Sequence, residues 1–168
     1  MAYGSHYSRV TNDTERLKGF AEWAAGIIAR QHIGANPILL YRGMSGCVTA
    51  TAVRLELHKL GIEVATVYIR KETDHHGDTL EWQTQQKDGY DSAYQWFKEV
   101  TRTWYFIDDF IETGETFETC LAQATRYFKM PTIKNLFTLT DHGEAYDHRS
   151  YVYEYQKECG ASRAELEL

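Results

Sequence analysis

The sequence predicts an α/β domain with a parallel, doubly wound sheet at its core. Short, largely apolar runs recur at residues 38–41, 62–69, 103–107 and 136–139, the first of them continuous. Such runs are what strands covered on both faces look like. Between the first two runs, and again between the last two, apolar residues fall at helical spacing. Strand, helix, strand is the unit that closes right-handed over a parallel sheet.

Each element has its own reason. Asn12 or Asp13 can cap a helix to about Gln31, with Leu17, Phe20, Ala24, Ile27 and Ile28 on one face. Gly34 and Pro37 stop it, and residues 38–41 form the first strand. Gly43 and Gly46 read as a loop, and residues 48–60 as a helix ended by Gly61. Residues 62–69 make the second strand. Residues 70–87 are polar without firm periodicity and read as a long excursion, either a short β-ribbon or a functional loop. Residues 93–100 suggest a short helix, and 103–107 the third strand. Gly114 opens a helix to about Lys129, Pro131 breaks it, and 136–139 is the fourth strand. The tail is rich in tyrosine, with a helix expected over 150–159.

The bulk properties limit the function. A chain of 168 residues fits one domain, 1–168, with a sizeable core. Eighteen Lys and Arg against 24 Asp and Glu give a net charge of −6. That makes a nucleic-acid partner unexpected, since phosphate neutralisation needs clustered cations. No apolar run approaches the ~20 residues of a membrane span, and no signal-peptide pattern opens the chain. Cys47, Cys120 and Cys159 are odd in number and form no CxxC pair. A cytoplasmic location without membrane contact is the expectation.

Residues 103–116 read TWYFIDDFIETGET. An apolar strand runs into two adjacent carboxylates, then into Thr-Gly-Glu-Thr at the start of a helix. The first N–H groups of a helix have no intrahelical partner, and its dipole favours an anion there. The dipole contributes only about 0.3–1 kcal/mol in exposed settings, so convergent N–H and hydroxyl donors must do most of the holding. Carboxylates just before such a turn would repel a phosphate placed on them. They suit a ligand with hydroxyls beside its phosphate, such as a ribose 5-phosphate.

Residues 105–116 resemble the binding signature of the type I phosphoribosyltransferases for 5-phosphoribosyl 1-diphosphate (PRPP): an apolar run, two acids, two apolar residues, any residue, then Thr-Gly-x-Thr. The resemblance implies that Asp108 and Asp109 hold the ribose hydroxyls, and that Thr113, Gly114, Glu115 and Thr116 wrap the 5-phosphate. Residues 41–47, YRGMSGC, resemble the family's diphosphate loop, with Arg42 and the backbone of Gly43, Met44 and Ser45 meeting the diphosphate. Residues 70–77, RKETDHHG, resemble the mobile loop of orotate phosphoribosyltransferases. Arg70, Lys71, His76 and Gly77 match, while Asp74 stands where that family carries a lysine.

By that resemblance the fold is a type I phosphoribosyltransferase core, about residues 37–140, with a small hood from the termini, 1–36 and 141–168. The implied activity transfers the phosphoribosyl group of PRPP to a purine, a pyrimidine or orotate. Mg²⁺ is the implied cofactor, with Asp108, Asp109 and Asp141 as candidate ligands. Arg42 and Lys71 would stabilise the departing diphosphate, and His76 could donate to it. A nucleobase is the implied second substrate, and a homodimer is compatible with the family. A PRPP- or nucleotide-binding regulator without turnover, and a purely structural domain, are the alternatives. Asp74, His75, His76 and Asp78 also admit a metal site, as do the Asp141-His142 and Asp147-His148 pairs, but no further ligand spacing supports one.

Overall fold

The structure, a computed structural model, describes residues 13–32, 36–69, 80–83, 103–128, 132–139 and 145–160. In chain order the elements are α1 (Thr14–Gln31), β1 (Ile38–Arg42), α2 (Gly43–Lys59), β2 (Ala65–Ile69) and β3 (Leu80–Gln83). They continue with β4 (Trp104–Asp108), α3 (Glu115–Tyr127), β5 (Ile133–Leu139), β6 (Ala145–Asp147) and α4 (Arg149–Glu158).

The strands form one six-stranded sheet in the order β3-β2-β1-β4-β5-β6. β2, β1, β4 and β5 are mutually parallel, and the edge strands β3 and β6 run antiparallel to their neighbours. The chain goes from β1 outward to β2, then returns to place β4 on the other side of β1. The boundary between β1 and β4 is therefore the topological switch point, where open α/β sheets bind ligands beyond the strand ends.

Alternation along the strands assigns the two faces. Leu39, Tyr105, Ile107, Phe137 and Leu139 pack with Phe20, Ala24 and Ile28 of α1 and Ala50, Val53 and Leu57 of α2. Ile38, Leu40, Val67, Trp104, Phe106 and Leu136 pack with Phe117, Cys120, Leu121 and Ala124 of α3 and Val152 of α4. Two helices on each face make the sheet doubly wound, as expected from the apolar runs.

Local signals explain most of the element ends. Asp13 caps α1, its carboxylate accepting the Arg16 N–H at 3.2 Å. α2 closes with paired bonds from Gly61 N–H to His58 O and from Ile62 N–H to Leu57 O, both 3.0 Å. That pair is a Schellman closure around a glycine at φ +76°.

The structure departs from the sequence expectations at several places. Gly43 and Gly46 are not a loop: α2 begins at Gly43 and Gly46 lies within its first turn. A Cβ at Gly46 would stand 3.4 Å from Tyr41 Cβ and 3.6 Å from Ile107 O, so its bare backbone lets α2 start close against β4. β2 begins at Ala65 rather than residue 62, because the closure of α2 takes the Ile62 N–H. β5 begins at Ile133, and its register against β4 shifts at Trp104/Tyr105, which hid the strand's first half from a simple run of apolar residues. β6 was not foreseen. Its three residues are half-buried or exposed, and only pairing with β5 makes them a strand. The described part of the amino-terminal hood candidate, α1, is a layer of the core packed on the sheet. The expected helix over 93–100 lies outside the described residues.

Tyr105 is fully buried against Phe137, ring centroids 6.0 Å apart, and its hydroxyl has no hydrogen-bond partner among the described residues. Desolvation holds the phenol neutral by raising its pKa. An unsatisfied buried hydroxyl costs roughly 1–3 kcal/mol. Tyr105→Phe should therefore stabilise the fold, by ~1 kcal/mol or more, read as a higher thermal midpoint. A lower midpoint would mean that the hydroxyl is satisfied in solution.

Candidate functional site

The candidate site lies at the carboxyl ends of β1 and β4. Arg42 is the last residue of β1 and Asp108 the last of β4. β1 and β4 pair with Ile38 opposite Trp104 and Leu40 opposite Phe106. Arg42 and Asp108 therefore end neighbouring parallel strands at the same edge of the sheet, and alternation puts both on the face that α3 covers. Both lie close enough to Cys120 of α3 to act on its thiol, Arg42 lowering its pKa and Asp108 raising it. Burial, the largest effect, pushes it up.

Asp108 and Asp109 are buried, 7% and 5% exposed. An acidic turn that merely capped a helix would be solvated, and these residues are not. The Asp109 N–H donates to Asp108 Oδ1 at 2.8 Å, which fixes the first carboxylate against its neighbour's backbone. That oxygen lies 3.7 Å from where a Gly46 Cβ would be, so the first turn of α2 and the end of β4 share one wall. Two carboxylates withdrawn from water are costly unless partners replace that water.

Arg42 caps α2 through an extended backbone, φ −141° and ψ 146°. Its Nε is buried and has no hydrogen-bond partner among the described residues. Neither α2 nor α3 has a side-chain hydrogen bond at its N-cap, and α2 has no acid in its first turn. Gly43 and Ser45 are half-buried, and Met44 is exposed. At α3, Gly114 is the N-cap in the left-handed region, φ 82°, which a side chain disfavours. Thr113, Glu115 and Thr116 around it are exposed, and the Glu115 N–H donates to Thr113 Oγ1 at 3.3 Å.

The structure thus gathers Arg42, Gly43, Met44, Ser45, Asp108, Asp109, Thr113, Gly114, Glu115 and Thr116 around the ends of two adjacent strands. Arg70, Lys71, His76 and Asp141 lie outside the described residues. Among the described residues no group of three His, Cys, Asp or Glu side chains is arranged to hold a metal ion. Two adjacent carboxylates fit Mg²⁺ when ligand oxygens complete the set, which is how Mg²⁺ is usually bound to phosphorylated substrates. Among the described residues no helix is long and apolar enough to cross a membrane.

Sequence reasoning missed Thr138 and Tyr151 at this edge, and weighed His148 only as half of a metal-binding pair with Asp147. Thr138 pairs in register with Asp108, and its hydroxyl shares a 2.9 Å hydrogen bond with His148 Nε2. Burial lowers the His148 pKa from 6.5, against a smaller opposing effect of Asp147. Tyr151 of α4 lies directly on Gly114. The tyrosine-rich tail was the only sequence signal for it, and that signal named no contact.

No protein-family model matches the sequence, and no curated protein matches it. Solved structures do match. An orotate phosphoribosyltransferase from Francisella tularensis superposes with a TM-score of 0.51 at 14% identity, over 94% of this chain and 78% of that one. A hypoxanthine-guanine phosphoribosyltransferase from Bacillus anthracis gives 0.48 at 14% identity, over 74% of this chain and 66% of that one. One from Leishmania tarentolae, in complex with GMP, gives 0.43 at 14% identity, over 76% and 63%. The chain spans slightly less than two thirds of the length of these two hypoxanthine-guanine enzymes. The likeness to the orotate enzyme shows that the chain has the type I phosphoribosyltransferase fold.

Proposed function

We propose that this protein binds PRPP with Mg²⁺ and transfers the 5-phosphoribosyl group to a nitrogenous base, releasing diphosphate. One observation carries the reading: buried Asp108 and Asp109 end the strand next to the one that ends in Arg42, at the switch point of the sheet. A ligand with hydroxyls, a phosphate and a diphosphate has the matching layout. The carboxylates accept charge-assisted hydrogen bonds from the ribose hydroxyls. The Arg42 Nε–H, without an acceptor among the described residues, gains one from the diphosphate. The uncapped first turn of α2 offers further N–H donors to the same group, and the 113–116 turn offers its own to the 5-phosphate.

The chemistry follows from this arrangement. The C1–O bond breaks largely before the new C–N bond forms, so positive charge develops on the ribose. Asp108 and Asp109 stabilise that charge while they hold the sugar. Arg42 stabilises the negative charge growing on the leaving diphosphate. Mg²⁺, when bound, neutralises diphosphate charge and orients it. In this reading Arg70, Lys71 and His76 come from the excursion after β2, closing over the site and excluding water that would hydrolyse PRPP. In the same reading the base is held by a hood from the termini, residues 1–36 and 141–168, with Asp141 a candidate to help hold base or metal.

Incubation of the protein with PRPP, Mg²⁺ and single bases from a panel of purines, pyrimidines and orotate tests this. Diphosphate release that depends on one base is the expected result. A second reading, a PRPP-binding regulator without turnover, is favoured by Asp74, which stands where a loop lysine would serve catalysis. In that case PRPP raises the thermal midpoint but no base consumes it. A protein whose midpoint PRPP leaves unchanged would end both readings.

A further inference from the structure

The carboxy-terminal helix reaches the candidate site through one side chain. A Cβ built on Gly114 would overlap the Tyr151 hydroxyl, and it would stand 3.2 Å from the ring's Cε2. Tyr151 therefore fills the space beside the N-cap of α3, thirty-seven positions earlier in the chain. Two further contacts fix it there. Its hydroxyl donates to Glu118 Oε1 of α3 at 3.4 Å. Its ring meets Phe117 edge-on, centroids 5.9 Å apart at 67°. Phe117 in turn meets Phe106 of β4 edge-on at 5.3 Å, two residues before Asp108. Gly114 is thus held in its left-handed conformation by α3 below and by a tyrosine from α4 above. Thr113, Glu115 and Thr116 stay exposed.

We propose that Tyr151 is a positioning residue for the 113–116 turn, so that α4 sets how tightly the site holds the phosphate end of its ligand. This rests on the phosphoribosyl reading above. The turn's donors must converge on one point to bind a phosphate well. A short turn around a glycine has many backbone states in the absence of a neighbour. Tyr151 removes those that would occupy its own volume. Binding a phosphate then requires less ordering, which is how preorganisation raises affinity. These contacts of Tyr151 are with Gly114, Phe117 and Glu118 on the α3 side, so the diphosphate half of the site, built on Arg42 and the start of α2, should be indifferent to it.

The test uses the two halves of PRPP as separate probes, ribose 5-phosphate and inorganic diphosphate with Mg²⁺, titrated calorimetrically against the full chain. Tyr151→Phe keeps the ring on Phe117 and loses the hydroxyl that lies on Gly114. It should weaken ribose 5-phosphate about two- to tenfold, the range a lost hydrogen bond gives, and leave diphosphate within about twofold. Tyr151→Ala should weaken ribose 5-phosphate by about tenfold or more with the same selectivity. If catalysis is measurable, the loss should fall on KM for PRPP with kcat little changed. Equal loss for both probes would show a merely structural role and overturn the proposal. So would unchanged ribose 5-phosphate binding in Tyr151→Phe and Tyr151→Ala alike. A wild-type protein that binds neither probe sinks the phosphoribosyl reading itself, and is told apart from the other failures because no variant is needed to see it.

Discussion

Asp109→Ala is expected to abolish or severely weaken PRPP binding while leaving the unliganded fold as stable as before. Asp109 is only 5% exposed as a residue, so its side chain has little contact with bulk water. A charge-assisted hydrogen bond to a ribose hydroxyl contributes about 1.5–3 kcal/mol, which is roughly a 10- to 100-fold change in affinity. A residue kept for a ligand and not for the fold shows the opposite sign in stability, because removing a desolvated charge relieves its burial cost. The thermal midpoint without ligand should stay level or rise, and the PRPP-induced shift should vanish. Retention of that shift together with a lower midpoint would make Asp109 a structural residue and remove the ribose site. Asp108 is the poorer test, since its Oδ1 holds the Asp109 N–H and its loss would disturb the strand end as well.

Gly114→Ala should produce the largest loss of stability among substitutions in the 108–116 segment. The left-handed φ of 82° costs an alanine about 1–2 kcal/mol. The added methyl also overlaps the Tyr151 hydroxyl, so Tyr151 must leave its bond to Glu118 and its edge contact with Phe117. Together these amount to about 2–4 kcal/mol, or roughly 5–15 °C in thermal midpoint for a chain of this size. The two components separate in a double-mutant cycle. Gly114→Ala made in a Tyr151→Ala background should cost only the backbone strain, so the effects will not add. Strict additivity would mean that the two residues do not touch in solution.

The same pair of positions marks what could be read from the sequence. The 113–116 turn was legible because its signal is local: a glycine, hydroxyls and a helix start within four residues. Its neighbour was not, because nothing within a few residues of Tyr151 says that it will lie on Gly114. Gly46 shows a related limit. Two glycines in four residues read as a loop, yet the second sits in a helix, bare because β4 passes close to it. The register shift in β5 and the short antiparallel β6 were likewise invisible, since each exists only through a partner strand.

By itself the sequence determined the α/β class, the parallel core strands, both faces of the sheet and the acidic segment with its helix start. Apolar periodicity, glycine and proline placement and capping residues act over a few positions, and a chain carries them openly. Only the tertiary structure decided that β4 lies beside β1, so that strands ending in Arg42 and Asp108 are neighbours, and that Tyr151 of α4 lies on the turn at Gly114. Those neighbours come from how the helices fill both faces of one sheet, and that is settled by packing among residues far apart in the chain.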